Sequence, residues 1–305
     1  MSADEMVVET ESLTKRFRRR TALLECSLSV PRGRVVALVG PNGSGKTTLL
    51  RLLAGLSRPT EGRISVFGEE MSMSNTDLRS RVGYLDQDRP LYERWRVREI
   101  LEFGRRTNPA WDADFAAQHL ARLDIDLESL VKNLSGGQRA QVALAVCFAK
   151  RPDLVLLDEP ASALDPVARQ DLLQNITELF ADNEASVLMA THAIDDVSAI
   201  CDYVIILSQS RVVLSEDLDY VLESHRLLSR GVDDGVPVPR GATVLDERRT
   251  TREITYLVRL GMPMERDGWR IERPTFNEIA IAYLRDRPRT SSTSSAINHD
   301  ESSAS

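Results

Sequence analysis

Short runs of mostly apolar residues recur along the chain, each four or five residues long. Runs of this kind, without polar alternation, are typical of strands that are buried on both faces of a parallel sheet. Segments with helical periodicity lie between them, as in a parallel sheet that is covered by helices. The pattern therefore predicts an α/β fold. The predicted strands are residues 35–39, 154–157, 186–190 and 203–207, and the predicted helices among them are 47–56 and 166–181.

Two other regions depart from this pattern. Residues 6–40, which end with the first apolar run, are β-rich, and residues 63–68 alternate as an exposed strand does. From about residue 88 to 150 the periodicity is helical, and we interpret this region as a helical insertion. Its predicted helices are residues 99–106, 114–123 and 138–150.

The character of the chain changes again after residue 222. Residues 223–286 are predicted to form an accessory region with a few short strands and a final helix at 276–285. Within it, residues 231–241 are rich in Gly, Pro and Asp and are predicted to be a linker. Residues 287–305 are mostly Ser, Thr and other polar residues, and we expect disorder there because so little apolar surface cannot offset the ordering entropy. The main domain is therefore predicted at 6–222.

Composition excludes several classes of protein. Of the 305 residues, 42% are hydrophobic and 28% charged, which is close to the soluble globular average and excludes a fibrous or wholly disordered chain. No apolar stretch reaches the roughly 18 residues of a membrane span, and the acidic N-terminus does not resemble a secretory signal. The scattered cysteines Cys26, Cys147 and Cys201 predict buried free thiols in a reducing compartment.

Charge gives a further exclusion. The formal net charge is −7 and the pI is about 5.3, which disfavours general nucleic-acid binding through a basic face. We therefore expect no nucleic-acid partner. Nearly all of the basic residues are arginine, so each of the few lysines is a candidate for a specific role.

One lysine lies in a glycine-rich loop that joins a predicted strand to a predicted helix. The glycines allow backbone N–H groups to turn inward around phosphate oxygens, and the positive end of the helix faces the same anion. Lys46 can bridge the β- and γ-phosphates, and the Thr47 hydroxyl suits Mg²⁺. The pattern therefore predicts a nucleotide phosphate site. The loop consists of Gly40, Pro41, Asn42, Gly43, Ser44, Gly45, Lys46 and Thr47.

A second buried strand ends in two carboxylates, Asp158 and Glu159. Because a hard cation prefers such oxygens, Asp158 can hold Mg²⁺. Glu159 is then available to orient or deprotonate an attacking water. A solvated acidic strand end is the structural alternative, and the phosphate loop elsewhere in the chain favours the functional interpretation.

A third motif, Ser135-Gly136-Gly137-Gln138 after Leu134, stands just before a helical segment. Its structural interpretation is a serine-capped helix, and its functional one is a second helix terminus that faces an anion. With this motif added to the other two, in this order, the chain resembles the ATP-binding subunit of an ABC (ATP-binding cassette) transporter. The resemblance covers about residues 6–222.

The resemblance implies a P-loop NTPase fold of the ABC ATPase type. Such a fold has a RecA-like core, an antiparallel β subdomain, the helical insertion and here a small C-terminal extension. It implies hydrolysis of ATP with Mg²⁺ as the cofactor. Thr48 would add a hydroxyl near the α-phosphate. Phe17 stands where an aromatic residue, more often tyrosine, stacks on adenine; a core phenylalanine is the alternative.

The other family motifs match single residues. Gln87 matches the glutamine loop, which contributes to catalysis and metal binding and joins the core to the helical insertion. Asp158 and Glu159 match the magnesium and catalytic carboxylates. Asp165 matches the loop that crosses the dimer interface, and His192 matches the switch histidine that contacts the γ-phosphate.

The resemblance also implies partners. Two cassettes of this family, identical or different, pair head to tail, so that each ATP lies between the phosphate loop of one and residues 135–138 of the other. The transmembrane permease subunits would be separate chains, which implies a cytoplasmic location on the inner face of the cell membrane. Residues 275–284 resemble the terminal helix of export-type cassettes and favour export over import; a packing helix is the alternative.

A soluble ABC ATPase that acts on DNA or ribosomes is the rival interpretation, because it would keep the same motifs. Such proteins usually add long coiled coils, zinc modules or a second cassette, and this sequence has no long heptad region, Cys-x-x-Cys or second phosphate loop. A binding-only cassette is disfavoured by Asp158, Glu159 and His192. The transported substrate stays open.

Overall fold

The computed structural model describes residues 6–88, 90–183, 185–232, 238–239, 241–261 and 268–285. The strands are β1 (Met6–Phe17), β2 (Arg20–Pro31), β3 (Val35–Val39), β4 (Glu61–Val66), β5 (Glu69–Glu70), β6 (Val82–Leu85), β7 (Leu154–Asp158), β8 (Ser186–Thr191), β9 (Tyr203–Ser208), β10 (Arg211–Asp217), β11 (His225–Gly231), β12 (Ala242–Arg249), β13 (Glu253–Leu260) and β14 (Arg270–Glu272). The helices are α1 (Lys46–Leu53), α2 (Thr76–Ser80), α3 (Val97–Thr107), α4 (Ala113–Arg122), α5 (Gly136–Ala149), α6 (Pro166–Asn183), α7 (Ile194–Ile200), α8 (Leu218–Ser224) and α9 (Phe276–Leu284), with a 3-10 turn at Val131–Asn133.

A six-stranded sheet forms the centre of the molecule, with strand order β10-β9-β3-β8-β7-β6. The strands from β9 to β6 are parallel, and β10 joins β9 in an antiparallel pair. Every residue of β3, β7 and β8 is buried, because helices or a second sheet cover both faces. The continuous apolar runs therefore predicted the central strands correctly.

Two apolar cores lie on opposite faces of this sheet. Successive residues of β3 alternate between them, with Val35, Ala37 and Val39 in one core and Val36 and Leu38 in the other. The first core also contains residues of α5, α6 and α9, and the second contains α1 and the strands of an antiparallel sheet ordered β2-β1-β4-β5. Each fully buried aliphatic side chain contributes about 1.5–3 kcal/mol of transfer free energy. This layered packing confirms the predicted α/β architecture with an antiparallel β subdomain.

The predicted helical region consists of α3, α4, the 3-10 turn and α5. A small core of its own includes Val97, Leu120 and Val131. Helix α5 has residues in two cores, since Val142 faces the small one and Phe148 faces the central sheet. The last helix of the predicted insertion thus also packs on the main domain, and the boundary at residue 150 stays a prediction.

The C-terminal region is a four-stranded antiparallel sheet, ordered β12-β13-β11-β14, with α9 after it. Two of its strands are eight residues long, so the sheet is more regular than a few short strands. Phe276, Ile279 and Ala280 of α9 are buried in the main core, which is what a packing helix does. The division at residues 222 and 223 stays a prediction, the linker at 231–241 is only partly described, and the tail at 287–305 lies outside the described residues.

Three buried thiols match the expectation from the sequence. Cys26, Cys147 and Cys201 are free and buried, and burial raises the pKa of Cys147 and of Cys201 to about 12. In the part of the chain that the structure describes, no helix is both long and apolar enough to cross a membrane.

Because of two buried histidines, we expect the free energy of unfolding to decrease at acidic pH. Burial lowers the pKa of His119 and of His225, and the His225 ring lies 2.7 Å from the Val221 carbonyl and 3.1 Å from the Tyr283 hydroxyl. In the unfolded chain both have a pKa of about 6.5. Below that pH the unfolded state binds protons that the folded state excludes, so the free energy of unfolding decreases as the pH falls toward the folded-state pKa values.

We expect a lower melting temperature at pH 5.5 than at pH 7.5, with a smaller difference in the His119→Gln/His225→Gln variant. Thermal unfolding of both proteins at the two pH values measures this difference. An equal pH dependence in the wild type and the variant would show that other groups cause the acid sensitivity.

Candidate functional site

The glycine-rich loop of residues 40–47 joins the end of β3 to the start of α1. Gly45 precedes the helix with a φ of 113°, in the left-handed region, and a Cβ there would lie 2.4 Å from the Ala22 carbonyl oxygen. Glycine is therefore required both by the backbone angle and by the close approach of β2. The result is a helix N-terminus whose first N–H groups are available to an anion.

Lys46 is buried, with 5% of its surface exposed. Its ammonium group donates to the Gly40 carbonyl over 2.8 Å and lies 3.2 Å from Oε1 of Glu159. A lysine is rarely buried to this extent unless its charge is paired. The loop thus holds a buried, paired cation, and the predicted contact of Lys46 with the β- and γ-phosphates stays a prediction.

Glu159 connects this cation to a histidine. Its Oε2 lies 2.9 Å from Nδ1 of His192, and its backbone N–H donates to the Ala190 carbonyl at the end of β8. Its own φ is 48°, a region that a non-glycine residue adopts only at a cost of about 1 kcal/mol or more. The strained turn after β7 directs the carboxylate toward both partners.

Lys46, Glu159 and His192 follow the carboxyl ends of β3, β7 and β8, which are adjacent strands. Ligands of open parallel sheets bind at this edge. A cavity of about 100 Å³ borders Glu159 and His192, with room for a few water molecules. The sheet therefore brings together three predicted site residues that are far apart in the sequence.

Asp158 fits a magnesium site. The residue is fully buried, and neither carboxylate oxygen has a hydrogen-bond partner of good geometry among the described residues. Burial raises the pKa of Asp158, and the nearby Thr47 hydroxyl and Lys46 charge partly offset that rise. A buried carboxylate beside a threonine hydroxyl is the kind of oxygen set that Mg²⁺ binds, and the ion would remove the desolvation penalty.

Gln87 lies two residues after β6 at the same edge of the sheet, and its side chain is exposed. A network that the sequence did not predict stabilises this segment. Asp86 accepts a 2.9 Å hydrogen bond from Arg51 of α1 and a 3.0 Å bond from the Tyr84 hydroxyl. Burial favours a higher pKa for Asp86, but these bonds, with Arg51 first, hold it below its usual value. The glutamine loop is thus tied to the helix that follows the phosphate loop.

The Ser135–Gln138 motif forms the predicted serine cap of α5. The Ser135 hydroxyl accepts from the Gln138 N–H over 3.1 Å, and the Gln138 side chain accepts from the Ser135 N–H over 3.0 Å. Asp165 caps α6 by accepting from the N–H groups of Val167 and Ala168, each over 3.1 Å. Both motifs are structural helix caps, and their roles across a dimer stay predictions.

Gly136 and Gly137 face α6 and the loop before it, because an added Cβ would contact Leu164 and Ala168. The glycine motif and the Asp165 loop therefore form one continuous surface. This surface is the one that the family resemblance assigns to a second cassette, and that assignment stays a prediction.

Phe17 is half exposed at the end of β1 rather than buried in a core. The Lys15 ammonium lies 5.0 Å from its ring centroid. The exposed ring is available for stacking, which is what the adenine-binding interpretation requires. The match of Phe17 to the adenine-stacking position of the family is therefore consistent with the structure, and the role of Phe17 stays a prediction.

Comparison with known proteins decides the family. Residues 23–162 match the model of the ABC transporter family, and these residues include the phosphate loop, the Ser135–Gln138 motif and the acidic strand end. The chain belongs to the ABC transporter family of ATP-binding cassettes. Cassettes of this family bind ATP with Mg²⁺ and hydrolyse it, which agrees with the residues at the sheet edge.

Relatives of the cassette include proteins of known assignment. The sulfate/thiosulfate import ATP-binding protein CysA 1 of Rhizobium meliloti (strain 1021) is 38% identical over 68% of this chain and 62% of its own length. The ABC transporter ATP-binding protein YtrB of Bacillus subtilis (strain 168) is 29% identical over 75% of this chain and 78% of its own length. The match thus spans less than two thirds of the import protein.

Solved structures show the same fold. One described as the ATP-binding subunit of an ABC transporter has a TM-score of 0.63 and 29% identity, and the match covers 71% of this chain and 92% of that one. The P-loop NTPase fold of the ABC ATPase type is therefore confirmed. The relatives do not support the expectation of export, since CysA 1 is named as an import protein.

Proposed function

We propose that this chain is the ATP-hydrolysing subunit of an ABC transporter and that it works with separate transmembrane subunits at the inner face of the cell membrane. One observation carries the proposal: the buried carboxylate of Glu159 lies between the Lys46 ammonium and the His192 imidazole, and the residue before it in the chain is the fully buried Asp158. This set contains a phosphate-binding cation, a general base with an orienting partner, and a metal carboxylate.

Nucleotide binding begins at the glycine-rich loop. The N–H groups at the start of α1 and the Lys46 ammonium attract the phosphate oxygens. Lys46 then replaces part of its contact with Glu159 and the Gly40 carbonyl by contacts with phosphate oxygens. Its positive charge therefore stays paired inside the buried site. Asp158 and Thr47 would hold the Mg²⁺, and the ion neutralises phosphate charge when it is bound.

Hydrolysis then depends on Glu159. Its carboxylate accepts a proton from the attacking water, and the bond to His192 fixes the direction of the carboxylate. Phosphoryl transfer needs positioning and charge stabilisation more than covalent chemistry, and Lys46 supplies a positive charge near the transferred group.

The second half of the site comes from another cassette. We propose that the surface of Ser135, Gly136, Gly137 and Asp165 faces the ATP that is bound to its partner. The helix cap at Ser135 presents the N-terminus of a fourteen-residue helix, which attracts the γ-phosphate across the interface. Loss of that phosphate on hydrolysis removes the bridge and opens the dimer.

Import is the direction that we propose, because the CysA relatives are named as import ATP-binding proteins. The match covers 62% of CysA 1, so the proposal concerns the direction of transport and not the cargo. Helix α9 had favoured export, but its apolar side chains are buried in the main core. That burial agrees with the alternative of a packing helix, and such a helix favours neither direction of transport.

An aromatic cluster of Tyr92, Trp95 and Phe103 is the surface that we assign to the transmembrane partner. Tyr92 stacks on Trp95 at a centroid distance of 4.4 Å, and Phe103 meets Trp95 edge-on at 5.7 Å. Tyr92 and Phe103 nevertheless expose 56% and 46% of their surface. Exposed, preorganised aromatic side chains are typical of interface hot spots. The cluster follows Gln87 along the chain, so it can receive motion from the site.

We expect the Tyr92→Ala/Phe103→Ala variant to lose membrane association without losing ATPase activity. Hot-spot aromatic residues contribute about 2 kcal/mol each, so the membrane-bound fraction should fall at least about tenfold. Fractionation of cells that express the complete transporter measures this fraction. The control is Tyr220→Ala, which removes an equally exposed ring from α8. Equal membrane recovery of the two variants would exclude the aromatic cluster as the docking surface.

The proposed activity itself has a simple test. The purified chain of 305 residues should release phosphate from ATP in the presence of Mg²⁺, and this release should stop when the metal is chelated. Absence of hydrolysis with Mg²⁺ and saturating ATP would contradict the proposal.

A further inference from the structure

The hairpin that carries Phe17 contacts the phosphate loop through one arginine. Phe17 of β1 pairs with Arg20 of β2, and Arg18 and Arg19 form the two-residue turn between them. Nη2 of Arg20 donates a 2.8 Å hydrogen bond to the carbonyl oxygen of Gly43. The residue that faces Phe17 across the hairpin is therefore also attached to the centre of the phosphate loop.

This bond sets the orientation of a peptide group in the loop. In a trans peptide the C=O and the N–H point in opposite directions, so the contact of the Gly43 carbonyl with Arg20 directs the Ser44 N–H away from the hairpin. The Ser44 N–H donates inside the loop, to the Pro41 carbonyl over 3.1 Å. Arg20 thus fixes the orientation of a peptide group whose N–H closes the turn of the phosphate loop.

Packing at Gly43 shows how close this contact is. Gly43 has a φ of 81°, and a Cβ built there would lie 2.8 Å from Nη2 of Arg20. The guanidinium therefore packs directly on the glycine. At the hairpin tip, Arg18 has a φ of 40°, a strained value for a side chain other than glycine. A strained tip needs contacts to hold it in place, and Arg20 provides one.

We propose that Arg20 is a positioning residue that couples base stacking at Phe17 to phosphate binding by the loop of residues 40–47. Arg20 holds the exposed ring at a fixed place relative to the loop and fixes the Gly43–Ser44 peptide that shapes the loop around the phosphates. The inference rests on the proposed function, since it concerns ATP at this same site. It adds a residue whose role neither the motifs nor the family comparison assign.

The test is a double-mutant cycle with Phe17→Ala, Arg20→Ala and the combined variant in the full-length chain. Titration calorimetry with Mg²⁺ measures the affinities for ATP and for inorganic tripolyphosphate, which lacks a base. Phe17→Ala should weaken only ATP. Arg20→Ala should weaken both ligands, ATP by about tenfold, as expected for one charge-assisted hydrogen bond. In steady-state assays Arg20→Ala should raise KM for ATP while kcat changes by less than about twofold.

The decisive result is whether the effects of the two substitutions on ATP affinity depend on each other. The combined variant should lose less ATP affinity than the product of the two single losses, because Phe17 is no longer held in place once Arg20 is absent. Arg19→Ala is the matched control, since it removes an exposed positive charge from the same hairpin. Wild-type affinity in Arg20→Ala, independent single losses, or an equal loss in Arg19→Ala would each overturn the inference. Failure of the wild type to bind ATP would instead overturn the proposed function together with the inference.

Discussion

Replacement of Glu159 by glutamine is expected to slow ATP hydrolysis by about 10²–10⁴-fold, the usual contribution of a general base, while ATP binding is retained. Glutamine has almost the same shape as glutamate and keeps a carbonyl oxygen for His192, but it cannot accept the proton of the attacking water. Lys46 loses an ionic partner at 3.2 Å and becomes more available to phosphate, so affinity for ATP should be kept or increased.

Phosphate-release kinetics and an ATP titration on the same preparation separate these two effects. Glu247→Gln is the matched control, because that residue makes the same chemical change on an exposed position of β12. A Glu159→Gln protein with wild-type turnover would show that another group activates the water.

Lys46→Ala is expected to weaken ATP binding itself, by about 30-fold or more. Lys46 is the buried cation of the loop, and removal of one partner from a buried, hydrogen-bonded charge pair costs about 2–5 kcal/mol. The substitution also leaves His192 as the remaining side-chain contact of the buried Glu159 carboxylate in this site. The negative charge of Glu159 would then repel phosphate.

An equilibrium titration with ATP and Mg²⁺ measures this loss, and Lys132→Ala supplies a matched control at an exposed lysine. If the Lys46→Ala protein bound ATP with unchanged affinity, the loop of residues 40–47 would not be the phosphate site.

Much of the core could be predicted because each central strand is specified by a short, continuous segment of the sequence. A strand that is covered on both faces needs consecutive apolar residues, and the segments at 35–39, 154–157 and 186–190 have that pattern. Side chains that follow parallel strands meet at one edge of the sheet, which is why Lys46, Glu159 and His192 converge. Motifs that directly follow buried parallel strands could therefore be expected to lie near one another.

Contacts between distant segments could not be predicted in the same way. The bonds of Arg51 to Asp86 and of Arg20 to Gly43 join residues that are far apart in sequence, and exposed arginines carry no periodic signal. The positive φ of Glu159 had no sequence signal either, because glycine normally marks such a position. The expectation of export failed for a related reason, since the short apolar pattern of α9 fits any helix that packs on a core.

The rival interpretation is a cassette of the same ATPase chemistry that acts on DNA or ribosomes. The site residues do not separate it from a transporter subunit, because both need Lys46, Asp158, Glu159 and His192. The aromatic cluster of Tyr92, Trp95 and Phe103, in which Tyr92 and Phe103 are exposed, favours an apolar protein partner over a nucleic acid, whose phosphates attract basic surfaces.

The most direct measurement is recovery of partners from detergent-solubilised membranes with the tagged Glu159→Gln chain in the presence of ATP and Mg²⁺. The substitution should hold the ATP-bound state long enough for purification. We predict that a polytopic membrane protein co-purifies in stoichiometric amount and is absent when the Tyr92→Ala/Phe103→Ala variant is used in the same background. Recovery of only soluble, DNA-bound or ribosomal partners would contradict the transporter assignment and leave the ATPase site intact.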